Sequence, residues 1–354
     1  MPFTVRASAP VGLDIGTSAV RGAAISTSSN SRSLVGFGQV ALPPGAVVGG
    51  EVREPAAVSE AIGQLWKRAK FGSRKAYIGI ANQRVLVRQV DFPALEEKEF
   101  RSSLRYMAAD QIPMPVETAQ LDFQILEEFT NENQEPMMRV LLVAAATEMV
   151  ESVVDAVTAA GIEPLGVDLS PFAVARAVSP VARGEVGLAG AEAVVDIGAG
   201  VTSILVHNNG EPRFVREVLL GGDEITEAIA TNAHLTYEEA EAVKLDLSRG
   251  VGSEDTREIM NQRASMLVEE IRSSFDYYGT LADNDPIVSV VVTGGASLTP
   301  GLIDKLDDAL RIKIQPAAYF ADLQTKKSGL TPEQLQQVEP LAGVAVGLAM
   351  GAAD

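Results

Sequence analysis

The chain of 354 residues contains no cysteine, two histidines and one tryptophan. Without thiols there is no disulfide, no zinc–thiolate centre and no cysteine nucleophile, and imidazole chemistry has only His207 and His234 to draw on. No apolar run reaches the roughly 18 residues of a membrane-crossing helix, and the opening string Met1–Pro10 is too short and polar for a secretion signal. Basic residues are outnumbered, 29 Lys and Arg against 47 Asp and Glu, for a net charge of −18. That charge opposes encounter with nucleic acid or an anionic membrane surface. An acidic cytoplasmic protein is expected, and its length predicts at least two domains.

What the chain does have is a repeated glycine-turn pattern. Val11–Ser18 (VGLDIGTS) and Val194–Thr202 (VVDIGAGVT) each join an apolar strand, an acid near its end (Asp14, Asp196), a glycine turn and small hydroxyl residues. Glycine lets backbone N–H groups approach an anion with no Cβ in the way. The acid can hold a hydrated divalent cation that offsets phosphate charge. One D-x-G-x-[ST] match is a weak signal; a pair in two halves of a chain predicts a phosphate cradle with two walls. Turn-capping acids with no ligand role remain the alternative at this point. A third turn, Val291–Leu298 (VVTGGASL), would let a flat base lie against bare backbone.

Around these turns the periodicities alternate between strand and helix, which predicts an α/β protein. Val11–Leu42 reads as a β-meander, Pro55–Lys70 as a helix, and Lys75–Ala81 and Val85–Val90 as strands. Ala94–Gln111 is an amphipathic helix ended by Ile112-Pro-Met-Pro115. Gln120–Leu126 and Met138–Ala145 form a hairpin around the polar stretch Glu127–Pro136, and Glu148–Ala160 is a helix closed by Gly161. A return strand follows at Pro164–Val167, so Ala76–Ala160 has the look of an inserted subdomain. After a helix continuing through Val174–Val178, Ser179–Gly187 has linker composition.

The second half repeats the opening with strands Ala193–Ile197, Ser203–His207 and Arg213–Leu219. Its helices are Asp223–Ala233, Tyr237–Leu247 and Thr256–Leu281, the last with apolar positions Ile259, Met266, Ile271, Phe275 and Tyr278. After the strand Ile287–Thr293, Thr299 is expected as an N-cap with Pro300 opening a helix. Pro340–Ala353 reads as a buried helix, too short to span a bilayer.

The order Asp14/Gly16/Ser18, Asp196/Gly198/Gly200/Thr202, Thr293/Gly294/Gly295 resembles the phosphate 1, phosphate 2 and adenosine motifs of the ATPases that join actin, the heat-shock chaperones and the sugar kinases. Finer strings carry a closer resemblance over nearly the whole chain: Leu104–Met107 (LRYM), Gln111–Pro115 (QIPMP), Leu121–Phe123 (LDF), Leu142–Ala146 (LVAAA), Gly166–Phe172 (GVDLSPF) and Ala240–Lys244 (AEAVK). They are similar to the PilM family of type IV pilus assembly proteins, in the FtsA-like branch of that superfamily.

The resemblance implies an actin-like ATPase fold, two β-meander α/β domains around a cleft for ATP and Mg²⁺ with an FtsA-like inserted subdomain. The implied division is 1–75, 161–190 and 339–354 for the first core (1A), 76–160 for the insertion (1C), 191–222 with 286–338 for the second core (2A), and 223–285 for a helical subdomain (2B). It puts Gly16, Thr17, Ser18 and Arg21 on one side of the phosphates and Gly198, Gly200 and Thr202 on the other. Asp14 and Asp196 would hold Mg²⁺ through water, and Gly294, Gly295 and Ser297 would face the base. Glu241 and Lys244 would reach ribose and adenine, although an i,i+3 pair on a helix surface explains them equally well. Arg21 could likewise be a solvated strand residue.

Asp168 falls where relatives orient the attacking water, one methylene shorter than their Glu, which implies at most slow hydrolysis. Phosphoryl transfer depends mostly on positioning and charge neutralisation, so such a cradle suits a switch better than a motor. The implied partner is the cytoplasmic N-terminal tail of the inner-membrane protein PilN, and through it the PilN/PilO assembly, in an apolar groove walled by Leu104, Met107 and Ile112. The chain would then sit at the inner face of the membrane without entering it. An FtsA-like filament-forming ATPase, with self-association, is the alternative. A small-molecule kinase would need a cleft-facing Asp as general base, and Asp91 and Asp122 fall in the insertion instead.

Overall fold

The strands that carry the glycine turns are apolar almost without a break because helices cover both of their faces, the usual situation of parallel-sheet strands. The computed structural model describes residues 9–28, 31–281 and 284–352. Expectations for residues 1–8 and 353–354 lie outside the described residues. In the first half the chain runs through β1 (Val11–Ile15), β2 (Ala19–Ser28), β3 (Ser31–Ala41), the short pair β4 (Val47–Val48) and β5 (Glu51–Val52), α1 (Pro55–Ala69), β6 (Lys75–Ile80), β7 (Val85–Pro93), α2 (Glu97–Ala108), β8 (Ala119–Thr130), β9 (Pro136–Ala146), α3 (Thr147–Ala159), β10 (Glu163–Leu169) and α4 (Ser170–Val178). The second half follows with β11 (Ala191–Ile197), β12 (Thr202–Asn208), β13 (Glu211–Val218), α5 (Gly222–Ala233), α6 (Tyr237–Ser248), α7 (Glu254–Gly279), β14 (Ile287–Thr293), α8 (Leu302–Leu310), β15 (Lys313–Pro316), β16 (Leu323–Gln324), α9 (Pro332–Val338) and α10 (Gly343–Gly351).

Two sheets share one topology. The first has the order β10-β6-β1-β2-β3-β16 and the second β13-β12-β11-β14-β15. In each an antiparallel meander (β1-β2-β3, β11-β12-β13) continues into parallel neighbours on the far side of its first strand. Asp14 and Asp196 hold the same post, next to last on the central strand, opposite Arg21 and Gly79 in one sheet and opposite Ser203 and Thr293 in the other. A separate three-stranded sheet, β7-β9-β8, interrupts the first half between β6 and β10. Its hairpin is longer than the sequence suggested, because Pro136 still pairs with Thr130 across the polar loop.

Helices α1 and α3 close one face of the first sheet and α10 the other. On the second sheet α7 and α8 take one face and α4 the other. The pair α4/α10 therefore lies between the sheets, joined by a shared apolar cluster of Ala173, Val174, Val344 and Leu348 with Val194 and Val291. The two backbones nearly touch: a Cβ on Gly347 would stand 1.7 Å from the Ala173 carbonyl oxygen, and one on Gly12 of β1 would stand 2.1 Å from that of Ala345.

Several expectations change against this frame. The helix after β14 does not begin at Thr299–Pro300. Leu302 N–H donates to the Thr299 carbonyl at 3.1 Å, and Gly301 has φ +75° and ψ −1°, so Thr299–Leu302 is a type II turn, the other structure that Pro followed by Gly favours. On α7 the buried face is Met260, Ala264, Leu267, Val268, Ile271 and Phe275, whereas Met266 is 53% exposed. Ala94 stays outside α2 because its N–H donates to the Pro136 carbonyl at 3.0 Å. Ser179–Gly187 is anchored rather than loose: Ser179 is fully buried, its hydroxyl donates to Glu192, and Arg183 pairs with Glu185 and Asp322 at 2.9 Å each.

The crossing of α4 and α10 makes a prediction. Gly347→Ala must force the helices apart and should destabilise the protein by about 1–3 kcal/mol or more. Gly63→Ala in α1, where nothing lies within 4 Å of the new methyl, should stabilise by about 0.5–1 kcal/mol. Urea denaturation of both variants checks this, and similar effects at the two sites would reject the tight crossing.

Candidate functional site

The glycine turns all leave the same end of their sheets, beyond the carboxyl ends of β1, β11 and β14, where open α/β sheets bind ligands. They also face one another. A Cβ on Gly200 would stand 2.9 Å from Thr17 Oγ1 and 3.4 Å from Asp223 Oδ2, so the turn of one half lies against the turn of the other. Gly294 has φ +88°, and a Cβ there would meet Asp196 Oδ1 at 2.5 Å; a side chain would be both strained and obstructed. A Cβ on Gly222 would stand 3.3 Å from Ala296 Cβ and 3.4 Å from Lys244 Nζ. The N-terminus of α5 braces the second turn, with Gly222 N–H donating to the Gly198 carbonyl at 3.0 Å and Asp223 N–H to that of Ala199 at 2.8 Å.

At the floor of this cleft two buried acids share one cation. Arg21 Nη1 lies 3.3 Å from Asp14 Oδ2, and both side chains are mostly buried, so Arg21 is no solvated strand residue. Burial raises the pKa of Asp14, with Arg21 opposing. Burial pushes Asp196 up to about 7, with the Asp14 charge adding and Arg21 opposing. Glu217, in the same strand-to-strand row as Asp196 and Ser203, is pushed up to about 8 by burial; its hydrogen bond from Ser203 at 2.6 Å opposes and the Asp196 charge adds. Such a surplus of buried carboxyl groups favours a cation. Among the described residues no cluster of three or more His, Asp or Glu could hold a metal alone. The buried carboxyls of Asp14 and Asp196 are the donor type that a hydrated divalent ion prefers, the remaining oxygens being water's and a ligand's.

Helix α6 closes the side. Lys244 Nζ lies 2.6 Å from Glu241 Oε2 and donates to Thr226 Oγ1 at 2.7 Å and to the Gly222 carbonyl at 3.2 Å. Thr226 in turn donates to Glu241 at 2.6 Å. This half-buried network ties α6 to the start of α5, unlike a solvated ion pair. Asp223 accepts from Tyr237 Oη at 2.7 Å, and burial raises the pKa of both. Sequence reasoning passed over Asp223, Tyr237, Thr226 and Glu217. The doublet Gly221-Gly222 ahead of a helix was the available signal for the first of these.

Other candidates take different places. Thr202 is fully buried and its hydroxyl donates to the Leu220 carbonyl at 2.7 Å, which makes it a support of the turn. Ser297 Oγ donates to the Gly294 carbonyl at 2.6 Å, and Gly295 packs against Leu341. Asp168 shares a row with Asp14 through Gly79, two strands and so roughly 10 Å away. Its carboxylate accepts from Leu169 N–H at 2.8 Å and Arg176 Nη2 at 3.0 Å, and Arg176 also donates to the Gly347 carbonyl at 2.9 Å. Asp168 is thus bound to the α4/α10 crossing. Leu104 and Ile112 are core residues under the three-stranded sheet and cannot wall an open groove; Met107 is half-buried, and it is Tyr106 that is exposed, at 88%. Asp91 pairs with Arg139 at 2.9 Å, outside the cleft.

The family model described as type IV pilus assembly protein PilM matches residues 12–353. The chain belongs to that family. A solved structure of a PilM-PilN type IV pilus biogenesis complex is 28% identical, covers 98% of this chain and 99% of its own, and superposes with a TM-score of 0.85. Cell division protein FtsA of Bacillus subtilis (strain 168) is 25% identical over 351 residues, 87% of this chain and 78% of the relative. MreB5 of Spiroplasma citri, solved with ADP, is 12% identical over 96% of this chain and 94% of its own with a TM-score of 0.53, a likeness of fold alone. The PilM-family chain thus has the actin-like ATPase fold. No helix among its described residues is long and apolar enough to cross a membrane.

The raised acids predict a pH dependence with a definite sign. In the folded chain Asp196 and Glu217 hold protons that the unfolded chain, with ordinary values of 3.8 and 4.5, has released. Their contribution to stability is complete below those ordinary values and is lost as pH rises through about 7 and about 8. The melting temperature of ligand-free protein should therefore fall between about pH 5 and pH 8.5, and Glu217→Gln should flatten the upper part of that slope. A slope that Glu217→Gln leaves untouched would rule out the buried proton.

Proposed function

We propose that this protein is a nucleotide-binding scaffold of type IV pilus assembly, which binds Mg-ATP between its two halves and captures the cytoplasmic N-terminal tail of a PilN-type inner-membrane protein. The observation that carries the nucleotide reading is the contact of the Gly16–Ser18 and Gly198–Gly200 turns above Asp14, Arg21 and Asp196. Backbone N–H groups of both turns would clamp the phosphates, and Arg21 would face their charge. Gly294, Gly295 and Ala296, with Glu241 and Lys244, would border the nucleoside. The cation, when bound, neutralises phosphate charge. The chain in this reading divides into two cores, the 76–160 insertion and the 223–285 helical part.

Hydrolysis is slow in this reading, since Asp168 is held by Arg176. Binding then biases the relation of the halves by as much as the nucleotide prefers the closed form. The partner reading is supported by the family and by the likeness to the PilM-PilN complex, at higher identity and coverage than the FtsA relative. Attachment to the inner face of the cytoplasmic membrane would come through that partner, and the insertion is the place for its groove, along surfaces other than Leu104 and Ile112.

Two titrations test the proposal. Asp196→Ala should lower Mg-ATP affinity at least about tenfold, equivalent to about 1.4 kcal/mol, while its circular dichroism stays native. The wild-type chain should bind a synthetic PilN-type N-terminal peptide one to one in a calorimeter. Unchanged ATP affinity in the variant would reject the second glycine turn as a phosphate site. Absent peptide binding, with ATP still bound, would favour an FtsA-like filament, to be sought by sedimentation and electron microscopy.

A further inference from the structure

Both ends of β13, an edge strand of the second sheet, touch the first half. At the cleft end a Cβ on Gly49 would stand 3.2 Å from Leu219 Cδ2. At the other end Gln89 of β7 reaches across. Its Nε2 donates to Glu211 Oε1 at 2.9 Å and to the Pro212 carbonyl at 2.8 Å, and its Oε1 accepts from Arg213 Nη1 at 3.1 Å. Arg213 closes the ring by pairing with Glu211 at 3.2 Å. One planar amide thus engages two side chains and an edge-strand carbonyl, a set of bonds with narrow geometric tolerance.

The strand that carries Gln89 has two masters. Val85, Val87 and Gln89 alternate onto one face of β7; the two valines pack on the core of the first sheet, whereas Gln89 holds the second. The opposite face, with Leu86, Val90 and Phe92, builds the core beneath α2 together with Phe100 and Leu104. Rotation of the second half about α4/α10 must therefore either break the Gln89 ring or shift β7 and the helix packed on it.

We propose that the Gln89–Glu211–Pro212–Arg213 junction is a clasp that transmits opening and closing of the cleft to the three-stranded unit. The inference rests on the nucleotide-scaffold reading above and gives it a route of regulation. A ring that is either made or broken supplies the discrete two-state element that coupling between distant sites requires.

Amide hydrogen exchange on the full chain, with and without saturating Mg-ATP, tests it in wild type, Gln89→Ala and Glu211→Ala. In all three proteins Mg-ATP should protect the Gly16–Ser18 and Gly198–Gly200 turns. In wild type it should also change exchange in β7 and α2, and that second change should be lost in both variants. Persistence of the change in the variants overturns the clasp, as does its absence in wild type while the turns are protected. Unprotected turns in wild type overturn the nucleotide reading, and the clasp with it. In parallel, any ratio of PilN-type peptide affinities with and without Mg-ATP, roughly fivefold or more in wild type, should move to one in Gln89→Ala.

Discussion

The structure depends on one close crossing, the contact of α4 and α10 at Ala173 and Gly347. Helix α10 mainly covers the inner face of the first sheet and α4 that of the second, and both contribute to the apolar cluster between them. If the helices separated, both cores would open to water along Val194, Val291, Val344 and Leu348. The same crossing reaches the cleft. Gly12 lies under Ala345, two residues before Asp14 on β1, and Asp168 reaches the crossing through Arg176 and the Gly347 carbonyl. Any change in the angle between the halves is felt at the acid beneath the first glycine turn.

Electrostatics at that floor favours positive charge. Asp14, Asp196 and Glu217 are buried with a single guanidinium among them; burial raises the pKa of Asp14 and pushes those of Asp196 and Glu217 up to about 7 and about 8. Burying ionised carboxyl groups without partners is expensive, so Asp14 is paired with Arg21 whereas Asp196 and Glu217 favour the neutral form. A site built this way gives up stability to gain affinity for positive charge, a trade commonly met where binding and catalysis reside.

Much of this was legible in the sequence because two signals coincided. Both central strands are largely apolar, and both carry an acid next to last before a glycine turn, so the paired meanders and the matching posts of Asp14 and Asp196 could be read in advance. Other features depend on register or on distant partners, which periodicity cannot supply. Met266 and Leu267 differ by one position on α7, yet the first is exposed and the second buried. Thr299-Pro300-Gly301 fits a helix start until the Leu302 hydrogen bond makes it a turn. Leu104 and Ile112 look like a groove wall until the three-stranded sheet covers them, and Asp168 looks free until Arg176 arrives from the next helix. Asp223 and Tyr237 meet across fourteen positions of chain, with no local pattern to announce it.

The two halves repeat in backbone but not in charge, and the difference gives the cleft a direction. Across from Asp14 on the neighbouring strand stands Arg21 and beyond it Gln39; across from Asp196 stand Ser203 and Glu217. The first half thus pairs its acid with a cation, while the second adds a further acid. In the proposed nucleotide reading that asymmetry would orient a ligand with a negative and a positive end, its phosphates toward Arg21 and its cation toward Asp196. A symmetric cradle would bind such a ligand in either sense. In that reading, loss of charge symmetry on a repeated backbone would turn two equivalent glycine turns into one oriented site.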